Sequence, residues 1–413
     1  MTRAAPSVAW LLAVCCALTV LGAGGCARRD RESGETAEEQ ARGEERNLPF
    51  VPLGLRLTQD DIDYAQELAG RVHRRAFPKE LVGDESNASL FIHLAATSSS
   101  PEVVVAALDA MRTTFSSGHR PKPREPRGGD DYGTVVALRL QSEHAEILAA
   151  AIEAARPALS GARPFAPMID ELCVVAQSHP NVGARVRALK ALGEVPHYQK
   201  HDSIVRALLG VLESDGPAVL ATALDYAARH QARELLEQDA FREHAIRLLR
   251  HSDPAVRGRA ARLAALLAPK DVGVVAPVVT MLHDAQPCAR AFAALALVDI
   301  HDPSAIHALL PLVADMANAR YRIRYKDLDG RNAQVAYFTK RRSLVHDRIV
   351  QAISALSEQT AVPFVPPPEL AASPAQGRQR TAEAARQWYA ANQSQLPPPW
   401  PVGDAGAPGP GRD

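Results

Sequence analysis

For most of this chain, apolar residues recur three and four positions apart, the spacing that lines one face of an α-helix. The stretch "HSDPAVRGRAARLAALL", residues 251–267, shows the unit most clearly. Asp253 and Pro254 make a turn and a helix start, because proline fits the first helical turn, where its missing N–H is not needed. Val256, Ala260 and Leu263 then fall two, six and nine residues after the proline, on one helix face. The same offsets from Pro180 give Val182, Val186 and Leu189; from Pro217, Val219, Ala223 and Tyr226; from Pro287, Ala289, Ala293 and Ala296; and from Pro101, Val103, Ala107 and Ala110. A weaker copy from Glu143 gives Ala145, Ala149 and Ile152. The middle residue is alanine or valine throughout, so two helix backbones approach closely at the same point of each unit. An earlier helix precedes each turn, as in Met168, Leu172 and Val175 or Ile204, Leu208 and Val211. A helix pair of this kind buries one side of itself and needs a copy stacked against it.

Residues 319–342, "ARYRIRYKDLDGRNAQVAYFTKRR", switch period. Tyr321, Ile323 and Tyr325 alternate with Arg320, Arg322, Arg324 and Lys326, which is strand spacing. Asp329-Gly330 is a hairpin turn signal, and Val335 and Tyr337 resume the alternation. The pattern predicts a β-hairpin with one aromatic and one cationic face. Either its aromatic side covers the end of the array and its arginines are solvated, or it is a flap for anions such as lipid-headgroup or lipopolysaccharide phosphates or an acidic partner. Residues 59–76 read as an acid-started capping helix, and "TAEAARQWYAANQ" from Thr381 as a closing helix with Trp388 and Tyr389 folded back.

The unit origins at 101, 143, 180, 217, 254 and 287 lie 42, 37, 37, 37 and 33 residues apart. A two-helix unit with a period near 40 and Asp-Pro-x-Val-Arg at its internal turn resembles the HEAT repeat, over roughly residues 86–357. Arg257 stands where that family places its turn arginine and Arg290 matches it, while Gly183, Leu220 and Val104 occupy the position in other units. The tetratricopeptide period of about 34, with its Trp, Leu-Gly and Tyr pattern, does not fit. The resemblance implies an all-α fold, a right-handed α-α superhelix (a HEAT-like solenoid) with one inserted β-hairpin. It also implies a concave face, lined by the second helices, on which a protein or an envelope polymer is held.

The start of the chain follows other rules. Arg3 precedes "VAWLLAVCCALTVLGAG", and "AGGC" ends at Cys26; a basic start, an apolar core and small residues describe a secretory signal. The cysteine after small residues resembles the lipobox of bacterial lipoproteins, with Ala23 where leucine is usual. That resemblance implies lipid on Cys26, export, and anchoring at the periplasmic side of the outer membrane rather than the inner, since Ala27 stands where a retention signal would place Asp. An uncleaved membrane anchor is the alternative. "ARRDRESGETAEEQARGEERN" from Ala27 is charged and too poor in large apolar residues to fold. The expected organisation is a signal peptide at 1–25, a disordered charged tether at 26–50, capping helices and the first repeat helix at 51–100, and repeats at 101–318. The hairpin at 319–342, the last repeat helix and cap at 343–395, and a disordered tail at 396–413 complete it.

Composition narrows the chemistry. Apolar residues make up 46% and aromatics 5% of the 413 residues, which suits closely packed Ala, Leu and Val helices. Acids and bases balance at 47 each, which excludes a chain committed overall to nucleic acid. Two cationic groups are candidate anion or partner sites: Arg257, Arg259 and Arg262, with Arg247 and Arg250 near them, and Arg320, Arg322, Arg324 and Lys326 on the hairpin. Asp327, Asp329 and Asn332 offer oxygens, but position twelve from Asp327 is Phe338, where a calcium loop needs Glu. His197 and His201 sit in a turn, Cys173 and Cys288 on apolar helical patterns, and no zinc, nucleophile-elbow or phosphate-loop motif occurs. No metal, cofactor or catalytic residue is expected. The reading is a non-enzymatic envelope scaffold or adaptor. A lyase-type enzyme on a HEAT-like fold and a purely structural envelope spacer are the alternatives.

Overall fold

A solenoid repeats one contact, and here that contact is made by alanine. The computed structural model describes residues 57–73, 75–82, 87–116, 128–159, 165–196, 201–213, 216–229, 239–339, 344–368 and 373–400. The signal segment with Cys26, the charged tether, the basic loop after 116, His197 and the last thirteen residues lie outside the described residues. Among those described, helices α1 (Gln59–Gly70) and α2 (Lys79–Val82) lead into seven pairs. These are α3 (Ala88–Thr97) with α4 (Pro101–Ser116), α5 (Gly128–Leu140) with α6 (Ala145–Leu159), α7 (Ala166–Ser178) with α8 (Val182–Leu192), and α9 (Asp202–Leu212) with α10 (Pro217–Arg229). Next come α11 (Asp239–Leu248) with α12 (Pro254–Leu267), α13 (Val272–Met281) with α14 (Pro287–Ile300), and the short α15 (Ile306–Leu309) with α16 (Val345–Ser357). Helix α17 (Pro374–Asn392) closes the array, and strands β1 (Tyr321–Lys326) and β2 (Asn332–Tyr337) are inserted before α16.

Each helix of the seven pairs meets its pair partner, and most also meet their counterparts in adjoining units. The first helices run α3, α5, α7, α9, α11 and the second run α4, α6, α8, α10, α12, α14, α16. The molecule is therefore an all-α solenoid with an inserted hairpin. The core is one continuous apolar strip through Leu94, Leu108, Leu148, Leu172, Leu208, Phe241, Leu263, Leu297 and Ile353. Leu53–Asp413 form one compact unit that contains all of it.

The helix caps correct the register of two units. Asp253 accepts from the Ala255 and Val256 N–H groups at 2.9 and 3.2 Å, and Asn181 accepts from Gly183 and Ala184 at 2.7 and 3.2 Å. Pro254 follows its cap, whereas Pro180 precedes its own, because the capping oxygen sets the helix start and proline only tolerates it. His251 and His179 reinforce the match, since each accepts through Nδ1 from its cap residue's N–H at 3.0 Å. Likewise α6 begins at Ala145, two residues later than the copy counted from Glu143.

Counted from the cap, Arg185 rather than Gly183 is the counterpart of Arg257. Its Nε donates to the carbonyl of Ala176, in the last helical turn of α7, at 3.0 Å, while Arg257 donates to the loop carbonyls of His251 and Ser252. The middle column becomes Ala107, Ala151, Ala188, Ala223, Ala260 and Ala293, and every member is fully buried. Of the residues first placed on the packing face of these units, Val186, Leu189, Val256, Ala260 and Leu263 are also fully buried. Val182 opens its helix and is half-buried, and Ala149 faces an open groove.

Arginines tie the repeats lengthwise. Arg139, at the end of α5, donates to the carbonyls of Ala95 at 2.6 Å and Ala96 at 3.0 Å; Arg247, at the end of α11, donates to that of Leu212 at 2.8 Å. Each occupies the carbonyl end of a preceding first helix, where a cation is favoured. The far end is held as well. Trp388 donates to the Val362 carbonyl at 3.1 Å, and Tyr389 and the Pro397 carbonyl hold the two nitrogens of His307 at 2.6 and 2.7 Å. Trp400 donates to Asp302 at 2.8 Å. Residues 396–400, read from composition as part of a disordered tail, are thus bound to the last unit.

Candidate functional site

The hairpin does not cover the end of the array as its aromatic face suggested. It folds back over the row of second helices. Its turn forms at Gly330, which has φ +69°, a conformation glycine adopts freely, and the strands pair from Tyr321 with Tyr337 to Lys326 with Asn332. Its stem is fixed to α16, because the Val345 N–H donates to Ala317 at 3.0 Å and the His346 N–H to Asp315 at 2.8 Å. From there β1 crosses α10 and reaches α8.

Two helix caps hold the hairpin at either end of that crossing. Tyr321 donates its hydroxyl to Asp253, the cap of α12, at 2.9 Å. Asn181, the cap of α8, donates to the Asp327 carbonyl at 3.3 Å. Six residue steps of strand separate these contacts and span about 20 Å, which matches two interhelix spacings of about 8–10 Å each. The insertion is therefore long enough to cross α12, α10 and α8, and no further.

The inward face is the aromatic one. Ile323, Leu328 and Tyr337 are buried, and Tyr321, Tyr325 and Val335 half-buried. Tyr337 meets Phe292 edge-on with ring centroids 5.5 Å apart, and Phe338 lies 4.6 Å from the same ring. The Arg259 guanidinium is stacked between Phe292 at 4.6 Å and Tyr337 at 4.8 Å and pairs with Asp225 of α10 at 2.5 Å. Burial dominates its surroundings and lowers its pKa, against the pull of Asp225. Burial, with the Asp253 hydrogen bond adding to it, pushes the Tyr321 phenol up to about 12.

At the tip, Asp327 takes Arg187 of α8 through two hydrogen bonds, one at 3.0 Å. Burial opposes its ionisation, but Arg187 and the Leu328 N–H outweigh it and hold the carboxyl below the usual carboxylate range. The approach requires Gly183, where a Cβ would lie 2.5 Å from Asp327 Cα. Counted from their caps, Arg187, Thr222, Arg259 and Phe292 are the same helix position in α8, α10, α12 and α14. That column lies under the hairpin, and periodic apolar patterning alone did not single it out.

Beyond the tip, no strand or helix among the described residues lies over the helix row. A groove of about 470 Å³ lies over α4, α6 and the start of α8, bounded by Arg75 at one end and Asp329 at the other. Val105, Ala149 and Ala150 line its apolar part. Charges of both signs line it, in the pairs Arg75–Glu146 at 2.9 Å and Arg112–Asp109 at 2.6 Å and in Glu153.

The sequence-derived cationic candidates separate into two groups. Arg257 pairs with Asp284 at 2.7 Å, Arg259 with Asp225, and Arg262 with Asp299 at 2.7 Å, so these guanidinium groups are engaged within the chain. Arg320, Arg322, Arg324 and Lys326 are all exposed on the outer hairpin face. Cys173 and Cys288 are buried free thiols, both pushed up to about 12 by burial. Among the described residues, no group of three or more His, Cys, Asp or Glu side chains is arranged to hold a metal ion. No helix among them is long and apolar enough to cross a membrane.

A family model described as HEAT repeats matches residues 242–325, the stretch in which cap, turn arginine and paired acid are all present. The crystal structure of an engineered protein is similar at 16% identity over 80% of this chain and 96% of that chain, with a TM-score of 0.31. No curated protein matches. These repeats support a HEAT-like solenoid, a scaffold of the kind used for protein interaction.

Proposed function

We propose that this protein is a non-enzymatic adaptor that holds a partner protein on its second-helix row, in the groove between Arg75 and Asp329. The observation that carries the reading is the division of one row into a part occupied by the protein's own hairpin and a part left open. Solenoids of stacked helix pairs present such rows as extended binding surfaces. The open part combines a small-residue floor with paired charges of both signs at its edges, which suits an extended polar segment with small apolar anchors. Introducing a photo-crosslinking residue at Ala149 gives a discrete adduct in cells, and the same residue at Val174, 54% exposed on α7, does not. Equal labelling from both positions, or none above background, overturns the reading.

We further propose export and lipid attachment at Cys26, with the charged segment after it as a tether to the periplasmic side of the outer membrane. The basic, apolar and small-residue order that ends at "AGGC" supports this. A Cys26→Ser chain is expected to leave the membrane fraction. Unchanged fractionation refutes lipid attachment.

A further inference from the structure

We propose that the outer face of the hairpin is a docking surface for an anionic lipid bilayer. The observation is a contrast in how this chain treats its arginines. Along the helix row, Arg187, Arg257, Arg259, Arg262 and Arg290 each have an aspartate of their own. Arg322, Arg324 and Lys326 are exposed and form no ion pair among the described residues, in a chain whose acids and bases balance. Opposite them in register stand Ala336, Gln334 and Asn332, so no acid from the second strand answers them. Arg320 flanks the row, and Arg331 lies exposed beyond the turn, 4.0 Å from Asp329. Asp327, the acid next to Lys326, is committed to Arg187.

The geometry selects the kind of anion. Alternate residues of a strand stand about 7 Å apart on one side, and the anchors at Asp253, Asn181 and Phe292 hold this plate against three helices. Among the described residues, the outer face presents Arg322, Arg324, Lys326, Asn332, Gln334 and Ala336 and no large apolar anchor, which a specific protein interface centres on. Its tyrosines all face inward, so it offers no platform for stacking bases. A flat, rigid, aromatic-free cationic plate fits a delocalised sheet of phosphates. The inference rests on the export reading only for how the protein meets such a surface. With an N-terminal lipid, the plate would be a second membrane contact, carried over helices α8 to α12.

The test uses residues 53–413, which form a compact unit of their own, so that no lipid or apolar leader contributes. Vesicles of phosphatidylcholine with about a third phosphatidylglycerol are sedimented with the protein, alongside pure phosphatidylcholine vesicles. Binding is expected to the anionic vesicles alone and to fall steeply with salt, as the screening length shrinks from about 10 Å at 0.1 M to about 3 Å at 1 M. Each cation near an anionic surface is worth roughly fivefold in affinity. The R322Q/R324Q/K326Q variant should therefore bind roughly a hundredfold more weakly, while R322K/R324K retains binding. Hydrogen exchange of the β1 amides reports whether the hairpin stays docked in each variant.

Equal binding to both vesicle types, no binding, or full binding by the docked triple-glutamine variant overturns the proposal. Stronger capture by heparin or duplex DNA than by anionic vesicles overturns it in favour of a general polyanion site. The outcome is independent of Cys26. Loss of the lipid anchor leaves vesicle binding by residues 53–413 untouched, and failure of vesicle binding leaves the fractionation of the Cys26→Ser chain unexplained by charge.

Discussion

The two ends of the second-helix row share a core but differ in surface. At the same position from each cap, α4 and α6 carry Ala106 and Ala150, whereas α8, α10, α12 and α14 carry Arg187, Thr222, Arg259 and Phe292. Ala150 lines an open groove and Ala106 is buried beside it; the second set meets a hairpin from the same chain. The alanine column beneath, Ala107 to Ala293, is equally buried at both ends. Packing between repeats is therefore one problem, solved identically in six units. What lies on top of the row is another, solved by a column one residue earlier on each helix. In this protein the second column distinguishes a surface already filled from one still available.

Removing the aromatic contact should break that comparison most severely. Tyr337→Ala empties the space against Phe292 and Arg259 and is expected to cost about 3 kcal/mol. Hydrogen exchange of the β1 and β2 amides should rise sharply, with little change in α4 and α6, because stacked repeats sense mainly their neighbours. A uniform rise along the whole solenoid would show that the hairpin stabilises the array globally instead of covering one part of it. Gly183→Val is milder, about 1–3 kcal/mol, since it forces the Asp327 backbone away from α8 without opening a cavity. The expected outcome is limited tryptic cleavage between Arg322 and Lys326 that the wild type resists. Unchanged cleavage would mean that α8 shifts to admit the new side chain.

Sequence patterning made the repeat and the hairpin visible for the same reason. Both are periodic, and burial on one side imposes the period. Asp253 beside Pro254 even revealed its unit's register. Asn181 and Ala145 did not, because the helix start at those units is set by a cap that proline either precedes or lacks, and the counts from Pro180 and Glu143 fell two residues early. Where the hairpin lands was not legible at all. Arg187 and Asp327 are 140 residues apart, and Tyr321 finds Asp253 across 68; no local spacing encodes such a pairing. The same limit hid the acids that engage Arg257, Arg259 and Arg262, each supplied by a neighbouring repeat.

Acid should release the tip before it disturbs the repeats. Asp327 titrates below its ordinary range in the folded chain, so its contribution is complete above the unfolded value near 3.9 and is lost as pH falls through the lower folded value. Cleavage at the hairpin is thus expected to increase below about pH 4, and Asp327→Asn should show the same sensitivity at neutral pH with no further rise in acid. The partly buried pair contributes about 1 kcal/mol, less than the aromatic contact, so the hairpin should loosen and not leave. A wild-type profile flat from pH 6 to about pH 3 would assign the tip's attachment to Asn181 and the turn backbone instead.

The smallest expected effect on stability falls at the open end, where it is most informative about function. Ala150 is half-buried and lines the groove, and nothing of the hairpin lies over it. Replacing it with arginine reproduces what α8 and α12 carry at that position. A long cationic side chain there can extend along the groove toward Glu146 and Glu153, so the change in stability should stay within about 0.5 kcal/mol. If the groove holds a partner, adduct formation from the photo-crosslinker at Ala149 should nevertheless fall at least tenfold, because the floor the partner needs is now occupied by the protein itself. Thr222→Ala, at the same position under the hairpin, should leave the adduct unchanged. Equal loss from both substitutions would mean that the partner depends on the row as a whole, and that the division between its covered and open ends has no functional meaning.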